Sequence, residues 1–284
     1  MIYASCQQKN NNFIRFDDIM IHKKFDSYPT KKKSLGQHFL RKISVVDNMI
    51  ARVVLSPQIS VLEIGCGDGF LTKAIIEKSA CKQLWSYEID SSWANFVSKK
   101  ISNSRLKVKN KNILEVDFDA ELASEGSWVV LANLPYQITF PILFLLKKYK
   151  HLFTEGVVMV QEEVAQKIVA TYGRSYNPTS IIMQHNFTWE LMEKIEPEAF
   201  DPAPKVNSRL LYFKPKQNIA ALPDEEQFWK FLKSCFKTPR QMLRNNLKTT
   251  HYAWSSLPES TLQLRAQQMT FDDFLHIWNL LRGM

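Results

Sequence analysis

At 284 residues, with 37 Lys/Arg against 28 Asp/Glu, the chain is long enough for one or two domains, and its formal +9 points to a polyanionic partner. No apolar run approaches the roughly 18 residues of a membrane span, the N-terminal stretch lacks a signal-peptide apolar region, and four cysteines without CxxC spacing fit a reducing compartment. A cytoplasmic, monomeric protein without a membrane partner is expected. The basic charge is unevenly placed: residues 1–42 carry a net +6 and residues 214–250 a net +5, so the rest of the chain is slightly acidic.

The first thirty residues are expected to form a flexible extension, leading to a basic arm at Lys31-Lys32-Lys33. Ser34 to Leu40 reads as a loop pivoting on Gly36, and Val45 to Leu55 carries apolar residues at helical spacing. Ile59–Ile64 is a buried strand, Phe70–Lys78 a helix, Gln83–Tyr87 a strand, Ser92–Ile101 a helix and Leu106–Lys109 a strand. A strand over 128–132, a helix over Pro141–Tyr149 and a strand over Gly156–Val160 follow. This alternation predicts an α/β fold with a doubly wound parallel sheet. A helix after Glu162 and a closing β pair, Phe187–Ile195 with Ser208–Phe213, complete a domain over 31–214. Lys214–Pro223 is the linker candidate. Helical patterns at Glu225–Phe236, Arg240–Leu247 and Phe271–Leu281 predict a small all-helical domain over 223–284.

Two strand ends carry the chemistry. Glu63-Ile64-Gly65-Cys66-Gly67-Asp68-Gly69 is a glycine-rich turn between a strand and a helix, where the backbone can approach a ligand closely. Its spacing is G-x-G-x-G, and Phe70 stands where the dinucleotide fingerprint needs glycine. Acidic Glu63 and Asp68 also sit poorly beside phosphates, so a cationic, phosphate-free cofactor such as S-adenosylmethionine (SAM) fits better. Glu88 ends the next strand, placed to accept both hydroxyls of a ribose.

Farther along, the apolar run Val129 to Ala132 stops at Asn133-Leu134-Pro135-Tyr136. Ligands of open α/β sheets bind at the carboxyl ends of strands. The Asn133 amide oxygen and the Leu134 carbonyl are two acceptors for the two hydrogens of an exocyclic adenine amine, and Tyr136 offers a face for the base. A plain strand-to-loop turn accounts for these four residues alone equally well. Together with the glycine turn and the acid, in this order, they point to adenine N6 methylation through positioning and electrostatics.

The chain resembles the small-subunit rRNA adenine N6,N6-dimethyltransferases, the kasugamycin-resistance family. The resemblance rests on Lys33-Ser34-Leu35-Gly36-Gln37-His38-Phe39-Leu40, Glu63-Ile64-Gly65, Glu88-Ile89-Asp90, Asn133-Leu134-Pro135-Tyr136 and Phe200-Asp201-Pro202-Ala203-Pro204-Lys205-Val206-Asn207-Ser208. It implies a class I SAM-dependent methyltransferase (Rossmann-like) sheet with a helical RNA-contacting domain. The implied reaction is dimethylation of two adjacent adenines in the 3′-terminal hairpin of small-subunit rRNA, on assembling 30S subunits. It further implies that Gln37, His38, Leu40, Gly65, Gly67, Glu88, Asn112 and Asn133 hold SAM. Asn133, Leu134 and Tyr136 would then act on the target base, with Phe200 stacking on its far face; without the family, Phe200 reads as the core anchor of a proline-rich loop.

Two departures stand out. His38 occupies a position where the family usually has Asn, and Asn112 one where it usually has Asp. Asn112 still accepts through its oxygen but forgoes a charge-assisted bond, roughly a factor of two in bond strength.

Lys233 and Lys237, and Arg240, Arg244 and Lys248, recur at four-residue spacing, so each set is expected to share a helical face, with Pro239 opening the second helix. With Lys31, Lys32, Lys33 and Lys205 they are the candidate RNA contacts, although a solvated basic helix explains the spacing equally well. The six histidines show no ligand spacing, and no metal is expected. Two other functions stay open: a large-subunit rRNA methyltransferase of the erythromycin-resistance type, and an RNA-binding ribosome-assembly factor with reduced catalysis.

Overall fold

The computed structural model describes residues 28–32, 35–217, 219 and 222–282. The expected flexible extension, apart from residues 28–30, and the arm residue Lys33 lie outside them. In chain order come β1 (Phe39–Leu40), α1 (Ile43–Ala51), β2 (Ser60–Ile64), α2 (Phe70–Lys78), β3 (Gln83–Tyr87), α3 (Ser91–Lys100), β4 (Leu106–Lys109), α4 (Phe118–Leu122), β5 (Trp128–Asn133), α5 (Thr139–Lys148) and β6 (Phe153–Gln161). There follow α6 (Glu162–Val169), α7 (Pro178–Asn186), β7 (Phe187–Ile195), β8 (Phe200–Asp201), β9 (Ser208–Pro215), α8 (Glu225–Cys235), α9 (Leu243–Leu247), α10 (Glu259–Leu262) and α11 (Phe271–Arg282).

Seven strands form one sheet in the order β4-β3-β2-β5-β6-β9-β7. The five strands from β4 to β6 run parallel; β9 is antiparallel to both its neighbours, so the sheet is mixed. The doubly wound sheet expected from the strand–helix alternation is present, and the β7–β9 pair closes it as expected. The central strands are apolar throughout because both their faces are covered. Alternate residues serve opposite layers. Leu62, Val130 and Val158 face a core shared with α5, α6 and α7, and Val61, Val129 and Val157 face one shared with α1 and α2.

A third core lies among the C-terminal helices, around Phe228, Phe231, Leu247, Phe274 and Trp278, and takes in Tyr176 just before α7 and Ile181 within it. The expected helix over 240–247 is shorter than its pattern. It starts at Leu243, so Arg240 and Pro239 lie in the preceding turn, and Lys237 lies beyond the end of α8. The side chain of Asn246 explains the shortening. It accepts from Thr238 N at 2.9 Å and donates to Cys235 O at 2.8 Å, which holds residues 236–242 as a turn.

The crossover at β5 places the site. β5 lies beside β2, so the chain leaves the two strands toward opposite edges of the sheet and opens a crevice at their carboxyl ends.

Candidate active site

A cavity of about 380 Å³ opens at that crevice, lined by the ends of β2, β3 and β5 and by the segment 35–40. The glycine turn bounds one side. Gly65, Gly67 and Gly69 all have left-handed backbone, at φ +78°, +52° and +86°. Open space lies where a Cβ on Gly65 would stand, whereas a Cβ on Gly67 would come within 2.6 Å of the Phe39 ring. The turn is therefore a bare-backbone cradle, open toward a ligand at Gly65 and closed by an aromatic wall at Gly67.

Glu88 faces this cradle from the end of β3. Its Oε2 accepts from Gly67 N at 3.0 Å and its Oε1 from Asp90 N at 2.9 Å. Each carboxylate oxygen retains a further lone pair, the number that two ribose hydroxyls require. Burial pushes the Glu88 carboxyl above its usual range, and the two backbone N–H groups pull it back. Beneath the turn, Glu63 is fully buried, and burial pushes its carboxyl up to about 8 although Thr72 Oγ1 donates to Oε2 at 2.7 Å. Its Oε1 and the neighbouring Ser86 Oγ are buried without a hydrogen-bond partner.

Asn133 closes the other side. Its Nδ2 donates to the His38 carbonyl at 3.2 Å, which leaves Oδ1 as the acceptor end of the amide. The Leu134 side chain is buried, so the strand end is fixed by packing. The Tyr136 hydroxyl bonds Ser208 Oγ at 2.6 Å, and its ring lies nearly parallel to His38 with centroids 5.9 Å apart. His38 Nδ1 lies 2.7 Å from the Pro202 carbonyl, so Nδ1 carries a hydrogen.

Gln37, His38, Leu40, Gly65, Gly67, Glu88, Asn112, Asn133, Leu134 and Tyr136 thus line one cavity, from five separate stretches of chain. Phe200 does not. It is 5% exposed within the core shared with α1 and α2, its backbone paired with Leu40, so its ring serves as a core anchor rather than as a face for a base. The polar atoms of Gln37 are already engaged: Oε1 by Lys32 N at 2.6 Å and Nε2 by Asp90 Oδ2 at 3.2 Å. Asn112 caps the turn after β4, its Oδ1 accepting from Leu114 N at 3.2 Å and its Nδ2 donating to Glu115 at 2.8 Å.

Among the expected RNA contacts, Lys205, Lys233, Lys237, Arg240 and Lys248 are exposed. Arg244 pairs with Glu259 at 3.0 Å, Lys31 with Asp201 at 2.6 Å and Lys32 with Asp90 at 2.9 Å. Sequence reading assigned no role to Asp90, to Ser208, or to the Arg41–Asp68 pair at 2.6 Å beside the glycine turn. Asp90 and Ser208 stand inside quoted motifs, but nothing in the spacing shows their long-range partners.

The site accommodates SAM. The cradle admits close approach without phosphate-binding chemistry, and Glu88 is set for a diol. Among the described residues no helix is long and apolar enough to cross a membrane.

Comparison with known proteins gives the same direction. The ribosomal RNA adenine dimethylase family profile matches residues 29–282. Ribosomal RNA small subunit methyltransferase A of Prosthecochloris aestuarii is 36% identical over 256 residues, 89% of this chain and 95% of the relative. The protein of that name from Mesomycoplasma hyopneumoniae strain J is 36% identical over 220 residues, 77% of this chain and 82% of the relative. In fold, the chain resembles a dimethyladenosine transferase from Plasmodium falciparum, with a TM-score of 0.74 at 23% identity over 87% of this chain and 98% of that one. It also resembles the 23S rRNA methyltransferase ErmE, with a TM-score of 0.68 at 22% identity over 86% and 99%. The protein has the class I SAM-dependent methyltransferase fold, and the chain belongs to the ribosomal RNA adenine dimethylase family.

Proposed function

We propose that the protein dimethylates the N6 amine of two adjacent adenines in the 3′-terminal hairpin of small-subunit rRNA, using SAM. The observation that carries this reading is the meeting of Asn133-Leu134-Pro135-Tyr136 with Gly65, Gly67 and Glu88 in one cavity at adjoining strand ends. SAM supplies an electrophilic methyl group on a sulfonium. Gly65 and Gly67 provide the backbone against which it lies, and Glu88 accepts from its ribose.

The target amine is a weak nucleophile because its lone pair is delocalised into the purine ring. Asn133 Oδ1 and the Leu134 carbonyl accept its two hydrogens, which favours a more pyramidal nitrogen with its lone pair free to attack. The Asn133 amide is fixed for this by its bond to the His38 carbonyl. Tyr136, held by Ser208, orients the extruded base. Rate enhancement comes from positioning and preorganised acceptors, without a strong base.

The C-terminal helices with their own core serve as the RNA-contacting domain, with Lys205, Lys233, Lys237, Arg240 and Lys248 meeting phosphates. The assembling small subunit in the cytoplasm is the partner, met by a monomer. The large-subunit reading rests on a fold likeness at 22% identity, whereas the relatives at 36% carry a small-subunit name.

The test is methyl transfer from labelled SAM to small subunits lacking these methyl groups, with modified small subunits and large subunits as controls. Dimethyladenosine formed only in the unmodified small subunit supports the reading. Label in the large subunit supports the erythromycin-resistance type instead, and RNA binding without transfer supports an assembly factor.

A further inference from the structure

Asp90 stands two residues after the carboxylate assigned to the ribose and has no part in the chemistry described so far. Its side chain is fully shielded from solvent, yet it does more than cap a helix. Oδ1 accepts from Ser92 N at 3.1 Å, the cap of α3, and also from Lys32 Nζ at 2.9 Å. Oδ2 accepts from Gln37 Nε2 at 3.2 Å. Gln37 in turn accepts from Lys32 N at 2.6 Å, so Lys32 and Gln37 brace one another while both bind Asp90.

The same residue reaches the cofactor side through its backbone. Asp90 N donates to Glu88 Oε1, and the other Glu88 oxygen holds Gly67 N. Beyond Gln37 the chain runs into His38, whose carbonyl receives Asn133 Nδ2, and then into β1, which pairs with β8. The cavity wall formed by residues 35–40 is therefore pinned at one end by Asp90 and at the other by strand pairing. The second described lysine of the arm behaves alike, since Lys31 Nζ lies 2.6 Å from Asp201. Both ammonium groups are thus directed to protein carboxylates flanking the cavity.

We propose that Asp90 is a positioning residue that fixes Lys32 and Gln37 as part of the cofactor-pocket wall, and that Lys32 serves cofactor binding through Asp90 rather than RNA binding. This rests on the proposed SAM-dependent reading of the cavity. A surface ion pair contributes little when water surrounds both partners. Here one partner is wholly buried and shares two donors from the same segment, so loss of the pair leaves that segment without its anchor.

The experiment uses full-length protein, unmodified small subunits and SAM, with Lys32→Met, Asp90→Asn and the double variant. Lys32 is half exposed, so its replacement leaves the core untouched, whereas Asp90→Asn keeps an acceptor for Ser92 N. Each single variant is expected to raise the KM for SAM on the order of tenfold, through faster cofactor loss in a displacement assay, with kcat at saturating SAM within about twofold. Small-subunit affinity and its salt dependence stay at the wild-type value, and the double variant adds little to either single change because the two residues act as a pair. Lower subunit affinity in Lys32→Met with an unchanged KM for SAM overturns the proposal and returns Lys32 to the RNA. A lower melting temperature and kcat in Asp90→Asn with an unchanged KM also overturns it, leaving a helix cap. Failure of the methyltransferase reading itself registers separately, as absence of transfer by the wild-type protein while cofactor displacement still reports on the wall.

Discussion

Replacing Glu63 by glutamine isolates the cost of keeping a carboxyl group buried beneath the glycine turn. Glu63 is fully buried, with one oxygen bonded to Thr72 and the other without a partner. Burial raises its carboxyl from 4.5 to about 8, so the folded protein holds this proton across a range in which the unfolded chain has lost it. The unfolded state therefore binds fewer protons between those two values, and stability falls as pH rises through them, by about 1.4 kcal/mol per pH unit. From pH 5 to pH 8 the loss attributable to this one group is of the order of a few kcal/mol. Glutamine fills nearly the same volume, cannot ionise, and brings donors that Ser86 Oγ, its neighbour across the β2–β3 register, can accept. In urea unfolding at fixed pH values across this range, the wild-type and Glu63→Gln curves should draw apart steadily, the variant losing far less stability toward pH 8. A difference that stays constant with pH would mean instead that Glu63 is ionised in the folded protein throughout.

Three further outcomes follow from the site's geometry. Asn133→Ala removes one acceptor of the target amine and should lower single-turnover methyl transfer roughly 10²–10³-fold, with binding to unmodified small subunits unchanged; normal turnover would take Asn133 out of the site. Glu88→Ala leaves Gly67 N and Asp90 N unanswered and removes the ribose acceptor, so calorimetry should show SAM binding roughly 30- to 100-fold weaker. Gly67→Ala forces a side chain onto left-handed backbone and within 2.6 Å of the Phe39 ring. It should cost about 1–3 kcal/mol in chemical unfolding and weaken SAM binding as well.

Where one physical signal dominated, the sequence showed the fold closely. The limits of β3, β4, β7 and α2 coincide with the expected ones because a short apolar or amphipathic run ends there against a polar or glycine boundary. The β9 reversal was legible only as a pair of late strands, since strand direction is set by the connection rather than by composition. In α9 the repeat of basic residues suggested a longer helix, and the Asn246 side chain bonds that delay its start are tertiary and leave no trace in spacing.

The site shows the same division. Gly65, Gly67, Glu88 and Asn133 were legible because strand-end chemistry demands those residue types, and the structure gathers them around one cavity. Phe200 was expected at the base and lies in the core, a choice that depends on how β8 pairs with β1, two residues against two. The roles of Asp90, Gln37 and Lys32 toward one another were hidden for a related reason. The bonds of Lys32 and Gln37 to Asp90 span more than fifty residues, and the three side chains, read singly, fit a basic arm, a cofactor contact and a helix cap.

Counting and locating the methyl groups placed on unmodified small subunits at completion decides whether the protein is a small-subunit adenine dimethyltransferase. Two methyl groups are expected on N6 of each of two adjacent adenines in the 3′-terminal hairpin, and none on large subunits. Transfer confined to the large subunit, to ribose or to another base would contradict it, as would full dimethylation by the Asn133→Ala variant at the wild-type rate.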